Sequence, residues 1–115
     1  MAKLYFKYGA MGSSKTANAL ITKFNYEERG MRVWLIKPAT DTRDGENVVR
    51  SRIGLFAPCE TVAADKDLFA AFSEEHSDAD VIIADECQFF TEAQIDQLRR
   101  VVNEFDRPVL CFGLR

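Results

Sequence analysis

Apolar residues along this chain gather in short continuous runs, separated by longer stretches with helical spacing. Leu4-Tyr5-Phe6, Val33-Trp34-Leu35-Ile36, Val81-Ile82-Ile83-Ala84 and Val109-Leu110-Cys111-Phe112 are each bounded by polar or turn residues. Unbroken runs of this kind predict strands covered on both faces, as in a parallel sheet. Between the first two runs, the stretch from about Ser14 to Arg29 sets Ala17, Leu20, Ile21 and Phe24 on one helical face, with Gly30 as its C-cap. Asp65 is positioned to cap a second helix running to about Glu75, with Leu68, Phe69 and Phe72 inward. Thr91-Glu92-Ala93-Gln94 reads as a capping box opening a third helix to about Glu104, with Ile95, Leu98, Val102 and Phe105 on the core face. Strands alternating with helices, joined by right-handed crossovers, predict a single α/β domain over residues 1–115 with a mostly parallel sheet flanked by helices.

The middle of the chain is less regular. Pro38 ends the second strand, and Ala39 to Asn47 is polar with a turn signal at Asp44-Gly45. Val48-Val49 and Ile53-Gly54-Leu55-Phe56 read as two short extended pieces, a hairpin or an excursion at the sheet edge, and Thr61-Val62 as a short further strand.

Chemistry enters at Gly9-Ala10-Met11-Gly12-Ser13-Ser14-Lys15-Thr16, which follows the first strand and opens the first helix. This is the context of a phosphate-binding loop, with Ser14 standing where the pattern has its second glycine. Wrapping a polyphosphate requires successive backbone N–H groups to turn inward, which glycine permits, and the helix N-terminus adds its positive dipole end. Lys15 would reach the β- and γ-phosphates, and the Thr16 hydroxyl would hold Mg²⁺. The strand ending at Ala84 runs into Asp85-Glu86, an apolar strand delivering carboxylates in the Walker B manner. Asp85 would act on Mg²⁺, directly or through water, and Glu86 could accept a proton from an attacking hydroxyl. Gln88-Phe89-Phe90 places an amide beside two aromatics, a set suited to a flat hydrogen-bonding ligand or to core packing. Asp41-Thr42-Arg43 follows a strand's carboxyl end, which makes Arg43 a candidate phosphate clamp or a solvated loop charge.

Composition bounds the rest. With 115 residues and a net charge of −3, the chain gives no electrostatic case for nucleic acid or an anionic membrane. It has no apolar run long enough to cross a bilayer and no secretory h-region at its start, so the expected location is cytoplasmic. Cys59, Cys87 and Cys111 are far apart and form no C-x-x-C pair; Cys87 and Cys111 read as buried structural thiols. His76, the only histidine, falls near a helix C-terminus, where its charged form suits the dipole.

Taken together, these residues resemble the N-terminal nucleotide-binding domain of type II (cellular-type) thymidine kinases, especially bacterial ones. The resemblance rests on Tyr8-Gly9-Ala10-Met11 leading into Lys15-Thr16, Glu28-Arg29-Gly30, Asp41-Thr42-Arg43, Ser51-Arg52-Ile53-Gly54, Asp85-Glu86-Cys87-Gln88-Phe89, and Pro108 through Arg115. It implies a RecA-like P-loop NTPase domain that transfers the γ-phosphate of ATP to the 5′-hydroxyl of thymidine, giving dTMP, within a homotetramer. It implies Glu86 as general base, Asp85 as Walker B acid, Lys15 and Thr16 on phosphate and Mg²⁺, and Arg43 at the transferred phosphate. Met11, Phe89 and Leu114 match positions lining the thymine pocket. The resemblance also implies a zinc-binding lasso domain beyond Arg115, so the 115 residues alone are expected to be a truncated and inactive part. The other functional classes compatible with the loop are a non-catalytic ATP-binding module and a RecA-like ATPase.

Overall fold

A computed structural model describes residues 2–9, 15–39 and 47–114. Its elements are β1 (Leu4–Gly9), α1 (Lys15–Glu28), β2 (Val33–Pro38), β3 (Val48–Arg50), β4 (Phe56–Pro58), β5 (Glu60–Val62), α2 (Leu68–Glu75), β6 (Val81–Ala84), a 3-10 turn (Cys87–Phe89), α3 (Glu92–Phe105) and β7 (Val109–Leu114). Among the described residues, five strands form one parallel sheet in the order β1-β7-β6-β2-β5, and β3 and β4 form a separate antiparallel hairpin. The expected α/β class with a mostly parallel sheet flanked by helices is the one observed.

The strand order explains which helix lies on which face. The β1-α1-β2 connection moves across the sheet in one direction, whereas β5-α2-β6 and β6-α3-β7 move in the other. Crossovers of one hand therefore put α1 on one face and α2 with α3 on the opposite face. Side chains alternate accordingly. Trp34, Ile36, Ile82, Ala84, Val109 and Cys111 pack with Leu68, Phe72, Leu98 and Val101 in one cluster. Leu35, Val81, Ile83, Leu110 and Phe112 pack with Ala19 and Leu20 of α1, and with Val49 and Ala57 of the hairpin, in the other. β6, central and covered on both sides, is buried at every residue from Val81 to Ala84.

Several expectations shift. β1 is not covered on both faces: it is the outer strand, pairs only with β7 among the described residues, and leaves Tyr5, Phe6 and Tyr8 38–45 % exposed. Its apolar run reflects β-propensity on a half-covered edge rather than burial. On α1 the buried stripe is Ala17, Ala19, Leu20 and Lys23, while Ile21 is exposed, because the hairpin packs on the Ala19 side of the helix and draws the stripe round. The cap of α2 is Asp67 rather than Asp65; its carboxylate accepts from Ala70 N at 3.0 Å. The second hairpin strand begins at Phe56, since Gly54, with φ +92°, forms the turn instead of a strand. Gly30, with φ +80°, ends α1 as its C-cap, and the Thr91/Gln94 capping box is present in full. Cys87 and Cys111 are buried as expected.

At the sheet's outer edge, Glu60 gathers a small polar network. It accepts from Trp34 Nε1 at 3.2 Å, Lys66 Nζ at 3.1 Å and His76 Nε2 at 3.1 Å. The His76 ring stacks on Trp34 with centroids 4.2 Å apart, so the lone histidine closes the core as well as ending α2. Burial by itself would raise the Glu60 pKa; the hydrogen bonds from Lys66 and Trp34, with the charges of Lys66 and His76, outweigh it and hold the carboxyl below its ordinary value. A depressed carboxylate contributes stability above its unfolded pKa of about 4.3, and that contribution is lost as pH falls through the folded value. Glu60→Gln should therefore flatten the fall in stability below about pH 4.5. Urea denaturation across that range checks it, and a variant curve parallel to the parent's would refute the assignment.

Candidate active site

Because the sheet is parallel, the carboxyl ends of its strands meet along one edge, the edge where α/β sheets bind ligands. Gly9 at the end of β1 pairs with Leu114 at the end of β7. Ala84 ends β6 opposite Cys111 of β7 and Ile36 of β2. Asp85 follows at once, its N–H donating to Ile36 O at 2.9 Å. The first turn of α1, with Lys15 and Thr16, lies against this edge, and the Thr16 hydroxyl donates to Asp85 Oδ2 at 3.0 Å. Residues 69 positions apart are thereby joined at one point.

Asp85 is the electrostatic centre of this edge. It is 4 % exposed, and its second oxygen, Oδ1, has no hydrogen-bond partner among the described residues. Burial is the largest effect and pushes its pKa up to about 6; the nearby Glu86 carboxylate adds to the rise, whereas the Thr16 hydroxyl and Lys37 oppose it. An unpaired buried carboxylate oxygen is costly unless something positive faces it. Such an oxygen beside a threonine hydroxyl is a hard donor set suited to Mg²⁺, which takes few protein ligands and completes its shell with phosphate and water. Among the described residues, no cluster of three or more His, Cys, Asp or Glu able to hold a metal is found.

Glu86 points elsewhere because its backbone is left-handed, with φ 56° and ψ 38°. A non-glycine residue there is strained, and such strain concentrates at functional sites. The turn separates the two carboxylates: Asp85 faces inward, and Glu86 is half-buried at the rim. The 3-10 turn that follows sends Phe90 into the core and leaves Phe89 50 % exposed. Of the two aromatics, Phe90 packs in the core and Phe89 stays exposed beside the rim turn.

Gln88 spends its amide within the protein: Oε1 accepts from Leu114 N at 3.1 Å, and Nε2 lies 3.4 Å from Glu86 Oε2. Gly113 makes this possible. A Cβ there would stand 2.5 Å from Gln88 Oε1 and 2.8 Å from Cys87 Sγ. The neighbouring Cys87 thiol and burial together push the Cys111 thiol's pKa up. Lys37 is a residue that sequence reasoning missed. It lies near the end of β2, donates to Val48 O at 2.7 Å and so ties the hairpin to the sheet, and its charge is felt at Asp85. The available signal was one lysine in an otherwise apolar strand. Ala10, Met11, Gly12, Ser13, Ser14 and Arg43 lie outside the described residues.

The thymidine kinase family model matches residues 2–115. The chain belongs to the thymidine kinase family. It is 43 % identical to the thymidine kinase of Shigella dysenteriae serotype 1, 44 % to that of Photobacterium profundum and 42 % to that of Escherichia coli (strain K12). Each comparison covers 100 % of this chain but 57 %, 61 % and 57 % of those thymidine kinases, respectively. The chain thus spans less than two-thirds of the length of these relatives. Among the described residues, no helix is long and apolar enough to cross a membrane.

The state of Asp85 yields a prediction that needs no substrate. A carboxyl with a raised folded pKa gives stability that is fully present below its unfolded value, about 3.9, and lost as pH rises through about 6. Without nucleotide or divalent cation, Asp85→Asn should stabilise the protein above pH 6 by up to about 3 kcal/mol, with little effect near pH 4. Urea midpoints at the two pH values test this. A variant less stable than the parent at neutral pH would show that the ionised carboxyl is already compensated.

Proposed function

We propose that residues 1–115 are the RecA-like nucleotide-binding domain of a thymidine kinase, which transfers the γ-phosphate of ATP to the 5′-hydroxyl of thymidine. The observation that carries this reading is the meeting of Thr16 with a buried, half-unpaired Asp85, one residue before Glu86, at the carboxyl edge of a parallel sheet.

In this reading the loop from Gly9 to Ser14 cradles the phosphates, with Lys15 as its cation. Thr16 and Asp85 would hold Mg²⁺, which would supply positive charge to the phosphates. The low-dielectric surroundings of Asp85 strengthen its attraction for a cation and disfavour bare ionisation; below about pH 6 a proton competes for the same oxygen. Glu86, held away from Asp85 by its left-handed backbone, takes the proton from the thymidine hydroxyl as that oxygen attacks phosphorus. Arg43 is proposed at the transferred phosphate. Phe89, exposed beside Glu86, and Leu114, at the end of β7, are proposed with Met11 to bound the thymine base. Much of the work is positioning, for which strand ends and helix termini are suited by their rigidity.

Thymidine-dependent release of ADP from Mg-ATP tests the reading in the full-length protein. ATP binding with no thymidine-dependent rate would select a binding module instead, and thymidine-independent hydrolysis would select an ATPase. Glu86→Gln should lower kcat by roughly 10²–10⁴, the usual contribution of general-base help. Lys15→Ala should weaken ATP binding in calorimetry, since a phosphate loses its fixed cation; unchanged affinity would remove Lys15 from the site.

A further inference from the structure

The orientation of the Gln88 amide follows from its neighbours. The backbone N–H of Leu114 can only donate, so the atom 3.1 Å from it must be the amide oxygen. The NH₂ group is thereby turned toward Glu86 Oε2, 3.4 Å away. One side chain thus spans from the end of β7 to the carboxylate on the rim turn after β6. Crowding fixes it there: Gly113 leaves only enough room for the amide oxygen, which a Cβ would meet at 2.5 Å. The residue so held has a left-handed backbone, and its carboxylate has no other hydrogen bond among the described residues.

We propose that Gln88 is a positioning residue for Glu86: its amide, anchored on Leu114 N–H, aims the carboxylate and does not contact nucleotide. This rests on the reading of Glu86 as general base. It also explains why an amide stands there. A carboxylate at 88 would repel Glu86, and an apolar side chain would leave Leu114 N–H without its acceptor.

Steady-state kinetics of the full-length protein, with both substrates varied, separate the possibilities. Gln88→Glu keeps the shape and the acceptor for Leu114 N–H but replaces the donor facing Glu86 with a second carboxylate. Its kcat near pH 7 should fall by about 10-fold or more, with both KM values within about 3-fold of the parent. Gly113→Ala, whose Cβ crowds the amide oxygen and Cys87 Sγ, should reproduce the kcat loss with the same KM pattern. Should Gln88→Glu fail to fold, Gln88→Met, similar in length and uncharged, should show the same kcat loss and KM pattern. A tenfold rise in either KM, with kcat intact, would make Gln88 a ligand contact and overturn the proposal. Glu86→Gln distinguishes the two levels. Retained kcat there removes the base and this proposal together; a large loss there, with kcat unchanged in Gln88→Glu, removes only the positioning role.

Discussion

The structure depends on a carboxylate placed where water cannot compensate it. Asp85 follows the central, fully buried strand β6, accepts one hydrogen bond from Thr16 and, among the described residues, leaves its other oxygen unpaired. Folding alone does not favour such a group: burial raises its pKa because the ionised form loses hydration it does not fully regain. The sheet tolerates this at the point where α1 begins, so a helix terminus, a hydroxyl and a carboxylate converge within hydrogen-bonding distance. A cation with phosphate oxygens would supply what the protein withholds. On the proposed reading, stability is reduced locally where cation and nucleotide bind, a common arrangement at sites that prefer a liganded state.

The rest of the fold keeps that point rigid. β6 is flanked by β7 and β2 and covered by a helical layer on each face, so Asp85 inherits the order of the whole sheet. Its neighbour needs a different solution, because two consecutive carboxylates cannot share one environment. A left-handed backbone at Glu86 turns the chain, the 3-10 turn buries Phe90, and Gln88 ties the turn to β7. Glycine at 113 serves close packing rather than an unusual dihedral angle, since positive φ at described glycines occurs at Gly30 and Gly54.

The distal features act on stability rather than chemistry. Glu60 is satisfied by Trp34, Lys66 and His76, and the Trp34–His76 stack seals the core at the end of α2. Lys37 connects the two regions: it anchors the β3–β4 hairpin through Val48 O while contributing charge near Asp85. The hairpin, outside the main sheet, in turn completes the cluster over α1 through Val49 and Ala57.

Local patterns determined much of this protein. Continuous apolar runs located the sheet strands, Thr91 and Gln94 located the start of α3, and Gly30 the end of α1, because each depends on neighbours within a few positions. The placement of Lys15 and Thr16 at a helix start, and of Asp85 and Glu86 after a strand end, was legible for the same reason. The strand order could not be read from such signals. It made β1 an outer strand and exposed Tyr5, Phe6 and Tyr8, although the β1 run differs little from buried ones. Nor could sequence show that α1 would turn Ile21 outward, that Asp67 rather than Asp65 would cap α2, or that the amide of Gln88 would reach Leu114. Those outcomes depend on which surfaces meet across long sequence separations. Packing decides there, and equally apolar or equally polar residues have different fates according to what the fold brings beside them.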